Sequence, residues 1–247
     1  MQDCKILAHR GASAYAPENT LEAFRLAVQQ QADGLEIDIH LTKDGEIVVI
    51  HDDTIDRTSN GKGDIMSYTL AELKAFRFNK GFEEQYPEAQ IPSLREVLEL
   101  VKEHDLYLNI EVKDILSKSE LYNGLGKEAG KLVEEYGLSG QVIFSSFNHT
   151  SMVRLKESCP EMRTALLYIA GLYEGGKYAQ MTGADALHPL YIGVNRELVE
   201  EAHSAGVQVN AWTVNDPEHI HMMLEAGVDA IITDRPDVCY QLREVRA

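Results

Sequence analysis

Short runs of apolar and β-branched residues recur along this chain at near-even spacing, each followed by an amphipathic stretch. The runs are KILAH (5–9), GLEIDI (34–39), LYLNIEV (106–112), QVIFSS (141–146), RTALLY (163–168), ADALH (184–188), VQVNAW (207–212) and DAIITD (229–234). Strand candidates that alternate with helical patterns predict parallel βα units. The intervening stretches have helical spacing: 18–30 places Leu21, Phe24, Leu26 and Val28 near one stripe, and 92–104 does the same for Leu94, Val97, Leu98 and Val101, with Pro92 and Ser93 as a helix start. Glycine stands between helix end and strand in QADGLEI, TGADALH, SAGVQVN and EAGVDAI, the position of a left-handed cap. Some eight such units in 247 residues predict an α/β fold of the TIM (β/α)8 type, ahead of a doubly wound open sheet.

One stretch breaks this rhythm. Lys43-Asp44-Gly45 is a turn signal between two alternating runs, so 35–40 and 46–51 are expected to form a β-hairpin that returns His51 beside Asp38. The polar segment from about 52 to 91 then reads as a small inserted subdomain on the barrel's top face, within a single domain spanning 1–247.

Charge narrows the partners. Lys and Arg number 23 against 40 Asp and Glu, a formal net charge of −17, which disfavours nucleic acid and anionic membranes. No apolar run approaches the ~18 to 20 residues of a membrane span, and the N-terminus does not resemble a secretory signal. Cys4, Cys159 and Cys239 lie far apart without metal-ligand spacing, as expected of idle thiols in the reducing cytoplasm. A phosphate-bearing substrate would need a local positive site.

Residues i and i+2 of a strand share a face, and three runs carry polar residues so spaced near their C-terminal ends: Glu36 with Asp38, Glu111 with Lys113, and Asn210 with Trp212. The first run ends in His9-Arg10-Gly11. Taken singly, each fits a structural role: His9 a satisfied histidine, Glu36 or Asp38 an ion-pair partner, Glu111 and Lys113 a local network, His51 with Asp52 and Asp53 a solvated turn. In a barrel, however, all would meet at one mouth. Three carboxylates gathered there repel one another and resist desolvation, a conflict that a bound divalent cation removes. An all-oxygen ligand set favours Mg²⁺ or Ca²⁺ over Zn²⁺.

The other histidines carry weaker signals. His40, His104, His203, His219 and His221 are expected on solvated turns or helices, and His149 at a helix start. His188 closes the sixth run facing the mouth, placed either to touch substrate or to pack. Trp212 and Phe147 would form an apolar wall for an alcohol moiety, or fill the core.

The segments AHRGASAYAPENTLEAF, GLEIDIHLTKDGEIVVIHDDTIDRTSNGKG, IPSLREVL, NIEVK, AWTVND and GVDAIITDRPD, from Ala8 to Asp237, together resemble the glycerophosphodiester phosphodiesterase family, in particular its short bacterial members. The resemblance implies a TIM-type barrel with an insertion after the HD motif, and metal-dependent hydrolysis of glycerophosphodiesters to an alcohol and sn-glycerol 3-phosphate. It makes His9 and His51 the general acid/base pair, Glu36, Asp38 and Glu111 the ligands of one divalent cation, Arg10 a phosphate contact and Lys113 a second cationic group near the phosphate. Which histidine is the acid, and whether water or the substrate's own hydroxyl attacks first, stay open at this level. So do a lysophospholipase D type activity on lipid-like diesters, a non-catalytic phosphodiester-binding role, and the oligomeric state.

Overall fold

The computed structural model describes residues 4–113 and 124–245. Its strands are β1 (Lys5–His9), β2 (Gly34–Leu41), β3 (Ile47–Val49), β4 (Tyr107–Val112), β5 (Val142–Ser146), β6 (Arg163–Tyr168), β7 (Ala186–Pro189), β8 (Gln208–Ala211) and β9 (Ala230–Thr233). β1 pairs in parallel with both β2 and β9, and the remaining neighbours run β9-β8-β7-β6-β5-β4-β2, so eight parallel strands close into a TIM-like barrel. The expected architecture is present. β3 lies outside the ring as an antiparallel partner of β2, with Ile39 opposite Val49 and Leu41 opposite Ile47.

Helices α1 (Leu21–Gln29), α3 (Leu94–His104), α4 (Leu125–Glu135), α5 (His149–Ser158), α6 (Gly175–Thr182), α7 (Arg196–Ser204), α8 (Pro217–Ala226) and α9 (Pro236–Glu244) follow barrel strands, and a four-residue α2 (Leu70–Leu73) falls in the long segment after β3. α3 matches its predicted stripe: Ser93 and Glu96 form a reciprocal capping box, and Leu94, Val97, Leu98, Leu100 and Val101 are buried. α1 departs from its own. Thr20 caps it, but the buried residues are Ala23, Phe24 and Ala27, while Leu21, Leu26 and Val28 are half-buried at the margins. Small side chains at 23 and 27 let this helix lie close to the strands.

Glycine caps where expected after α6 (Gly183, φ 71°) and α8 (Gly227, φ 85°). Gly34 does something else. It opens β2, where a Cβ would stand 2.2 Å from the Tyr107 carbonyl oxygen, and the left-handed position after α1 falls to Gln31 (φ 62°). The glycine there allows β2 and β4 to approach, and these two strands carry the acidic residues of the mouth.

Between β3 and α3 the chain contains a 3-10 turn at Ile65–Ser67, α2, and a small apolar cluster of Ile50, Ile55, Ile65, Leu73, Phe78 and Ile91 packed with Val48 of β3. The segment therefore has its own buried contacts, anchored on the hairpin strand. No helix among the described residues is long and apolar enough to cross a membrane.

Candidate active site

Register brings the polar strand ends together. His9 stands opposite Glu36 on β2, and Asp38 opposite Glu111 on β4. The hairpin returns the chain as predicted, with the Ile50 amide donating to the Asp38 carbonyl at 3.0 Å, so that His51 emerges at the same end. A cavity of about 70 Å³ opens here, lined by His9, Arg10, Glu36, His51, Asn109, Glu111, Lys113 and, on its apolar side, Phe147, Leu167, Trp212 and Ile232.

One oxygen from each of Glu36, Asp38 and Glu111 lies within 4.8 Å of the others. Burial and the neighbouring Asp38 and Glu111 charges push Glu36 well above the ordinary carboxylate range. Burial and Asp38 likewise raise Glu111, to about 7, against the downward pull of Lys113. Asp38 goes the other way: although burial opposes it, Lys113, Arg10, His51 and the Asn19 amide hold it well below its usual value. Asp38 Oδ1 is buried without a hydrogen bond, 3.2 Å from Lys113 Nζ in an ion pair only. Three crowded carboxylates, two of them resisting ionisation and a third with an unsatisfied oxygen, fit a hard divalent cation.

Two cations flank the cluster. Lys113 Nζ donates to Glu111 Oε1 at 2.7 Å. Arg10 Nε lies 3.3 Å from Asp38 Oδ2, and its Nη1 donates to Glu18 Oε1 at 3.0 Å. Burial alone would favour their neutral forms, but the surrounding carboxylates outweigh it and raise both pKa values. Arg10 and Asn19, both in contact with Asp38, have left-handed backbones (φ 57° and 55°), a conformation non-glycine residues adopt at a cost.

Each cavity histidine is held through Nδ1. His9 Nδ1 donates to Asp234 Oδ1 at 2.6 Å, and His51 Nδ1 donates to Asp52 Oδ1 at 2.7 Å. A carboxylate only accepts, so Nδ1 carries the proton and each Nε2 is left as the second functional nitrogen. His9 Nε2 stands 3.9 Å from Glu36 Oε2. Burial moves His51 below the usual imidazole range.

Over residues 9–238 the chain matches the glycerophosphoryl diester phosphodiesterase family. It belongs to that family. A glycerophosphodiester phosphodiesterase of Caldanaerobacter subterraneus subsp. tengcongensis is 43% identical over 237 residues, 96% of each chain. One from Bacillus altitudinis is 37% identical over 243 residues, 97% of this chain and 98% of the other. Among solved structures, an Oleispira antarctica phosphodiesterase in complex with the product sn-glycerol-3-phosphate superposes with a TM-score of 0.85 at 30% identity, over 97% of this chain and 96% of that one.

The remaining residues singled out from this phosphodiesterase sequence fall as follows. Trp212 and Phe147 meet edge to face, ring centroids 5.5 Å apart at 88°, and both line the cavity. His188 does not line it: the ring is fully buried, Nε2 accepts from Asn210 Nδ2 at 2.8 Å, and burial with the nearby Arg163 charge lowers its pKa to about 3. His40 is a correction as well. It is 1% exposed rather than solvated, because β2 runs on through Leu41, and its Nε2 contacts the His51 carbonyl at 3.1 Å. His104, His203 and His221 are exposed on helices as expected, and His149, at the start of α5, bonds Tyr178 and the Leu167 carbonyl.

Of the groups that hold the histidines, sequence reasoning assigns Asp234 no role and presents Asp52 only as part of a solvated turn. Asp234 accepts from His9, from Ser13 Oγ at 2.9 Å and from Asn215 Nδ2 at 2.6 Å. The strand-end rule that singled out His9 on β1 also applies to Asp234, just past β9. Asp52 is drawn down to about 2, against burial, by hydrogen bonds from Arg57 and His51. Arg57 and Glu18 carried no such signal, being joined only by the fold.

Proposed function

We propose that this family member hydrolyses glycerophosphodiesters to an alcohol and sn-glycerol 3-phosphate, with His9 and His51 as its general acid/base pair. A phosphodiester is anionic, and attack at phosphorus spreads further charge over its non-bridging oxygens. Arg10 and Lys113 offer cationic groups there, a local positive site on a chain of net charge −17. Glu36, Asp38 and Glu111 would hold Mg²⁺ or Ca²⁺, which when bound supplies Lewis-acid stabilisation of those oxygens.

The proton work divides between the imidazoles. Burial keeps His51 neutral at neutral pH, so its Nε2 accepts the proton of the attacking hydroxyl while Asp52 stabilises the imidazolium that forms. His9, held through Nδ1 by Asp234, donates from Nε2 to the departing alkoxide. Phe147 and Trp212 pack together in the cavity lining and suit the alcohol portion of the diester. The three unpaired thiols agree with a cytoplasmic setting.

A single observation carries this reading: two imidazoles, each oriented by a carboxylate, share one cavity with Glu36 and Glu111 of the three-carboxylate cluster. A protein that only bound phosphodiesters would have no use for two oriented proton carriers. The test follows release of sn-glycerol 3-phosphate from glycerophosphocholine. His9→Ala and His51→Ala should each lower kcat by on the order of 10² to 10⁴ with the fold retained. Chelation should abolish turnover, and Mg²⁺ or Ca²⁺ restore it. Near-normal turnover in both variants, or in chelator, would overturn the assignment.

A further inference from the structure

A run of charges joins two residues of the cavity lining, His51 and Arg10, and Arg57 is its central link. Its Nε and Nη2 donate to the two oxygens of Asp52 at 2.7 and 3.2 Å, and its Nη1 and Nη2 donate to the two oxygens of Glu18 at 2.6 and 2.8 Å. Beyond Asp52 stands His51 at 2.7 Å; beyond Glu18 stands Arg10 at 3.0 Å, and then Asp38 at 3.3 Å. Imidazole, carboxylate, guanidinium, carboxylate, guanidinium and carboxylate thus alternate from one edge of the site to the other. Only a planar fork can grip two carboxylates in this way; a lysine, as a point charge, cannot.

The location of this fork gives it a purpose. Arg57 belongs to the segment after β3, whereas Glu18 and Arg10 belong to the loop between β1 and α1. That loop is under backbone strain on both sides of Glu18, with Arg10 and Asn19 each left-handed and each turned onto Asp38. Strained residues persist only where their surroundings over-determine them. The grip on Glu18, next in sequence to Asn19, opposes relaxation of the loop, and the grip on Asp52 fixes the carboxylate that orients His51.

We infer that Arg57 is a positioning residue for hydrolysis, a clamp that sets His51 through Asp52 and Arg10 through Glu18 at the same time. The inference rests on the phosphodiesterase reading for its kinetic consequence, though not for its structural one. Arg57 is 47% exposed, so its removal should cost little stability while displacing two groups that face the reacting phosphate.

The test uses the full chain with Arg57→Gln and Arg57→Lys. Both should lower kcat/KM on the order of 10- to 100-fold, with kcat falling through His51 and KM rising through Arg10, and with the melting temperature nearly unchanged. Added methylguanidinium should recover part of the activity of Arg57→Gly, and Glu18→Gln should cost little more in the Arg57→Gln background than Arg57→Gln alone. Activity within twofold of wild type, full activity in Arg57→Lys, or losses that track the melting temperature would overturn the clamp. A crystal structure of Arg57→Gln decides the matter without turnover: Arg10 should leave Asp38 or the His51 ring should turn, and an unmoved pair refutes the inference. Should wild type release no sn-glycerol 3-phosphate while Arg57→Gln shows that displacement, the proposed activity fails and the clamp stands.

Discussion

His9 Nδ1 and Asp234 Oδ1 lie 2.6 Å apart although 225 positions separate them in the chain. The barrel's closure, β9 against β1, makes them neighbours. Asp234 is itself fixed from three sides, by Ser13 Oγ, by Asn215 Nδ2 and by its own amide on Asn215 Oδ1, which makes it a rigid acceptor. Burial is opposed by the His9 hydrogen bond, which keeps Asp234 below its usual pKa and hence ionised. Replacing it with asparagine presents a donor or a weaker acceptor to Nδ1 and permits the wrong tautomer. Asp234→Asn should therefore lower kcat on the order of 10² to 10⁴-fold at unchanged far-ultraviolet circular dichroism. A kcat within a few-fold of wild type would mean that His9 does not need this partner.

The acidic cluster makes a prediction about stability against pH in the presence of chelator. Glu36 and Glu111 titrate above their ordinary value of 4.5 in the folded protein, Glu111 at about 7. Between those limits the folded state retains protons that the unfolded chain has released, so stability declines as pH rises from about 4.5 to about 7. Asp38 acts in the opposite sense: its depressed pKa adds stability that is present above its unfolded value of 3.8 and lost as pH falls below it. His188 and His51 oppose the glutamates over the same range, because each is held below its ordinary imidazole value of 6.5 and so makes stability rise with pH. The cluster's share is therefore read by difference: in EDTA, the melting temperature of Glu111→Gln should rise relative to that of wild type as pH goes from 5 to 7, and saturating Mg²⁺ or Ca²⁺ should remove that gap. A difference that stays flat or shrinks over this range contradicts the cluster's electrostatics.

Much of this was readable along the strands. The period-two pattern of GLEIDI and NIEVK placed Glu36, Asp38, Glu111 and Lys113 toward one mouth, and Lys43-Asp44-Gly45 announced the hairpin that brings back His51. Depth was less legible. His188 points inward as alternation requires, yet whether an inward residue reaches the cavity depends on strand stagger, which only the closed sheet sets. His40 lies within the expected hairpin strand 35–40, yet its burial shows only once it pairs opposite Val48 of β3 and its ring meets the His51 carbonyl. The contact between Arg57 and Glu18 spans 39 positions and two irregular segments, where no periodicity operates.

Gly34 tests the packing that sets the cluster. A Cβ there would meet the Tyr107 carbonyl oxygen at 2.2 Å and Leu7 Cδ2 at 2.9 Å, and a backbone oxygen within a strand cannot move aside alone. Gly34→Ala should push β2 away from β4, costing at least about 2 kcal/mol, a fall in Tm of roughly 4–8 °C for a domain of this size. Because Glu36 and Asp38 lie on β2 and Glu111 on β4, cation affinity by calorimetry should fall as well. An unchanged Tm would show that the strands have slack which the register does not suggest.

Trp212 is the chain's one tryptophan, and it lines the cavity with Nε1 donating to the His188 carbonyl at 2.7 Å. Intrinsic fluorescence therefore reports on a single place. Its indole is fixed at one end by that hydrogen bond and touched edge-on by Phe147, which is 49% exposed. Titration with sn-glycerol 3-phosphate and Mg²⁺ should exclude water from this wall and shift the emission to shorter wavelength, with a midpoint equal to the calorimetric Kd. Removing the opposing ring in Phe147→Ala strips about 1 kcal/mol of apolar contact, so KM should rise roughly 3- to 10-fold with kcat much less affected. Emission that stays constant while calorimetry records saturation would place the ligand away from Trp212 and detach the apolar wall from the site.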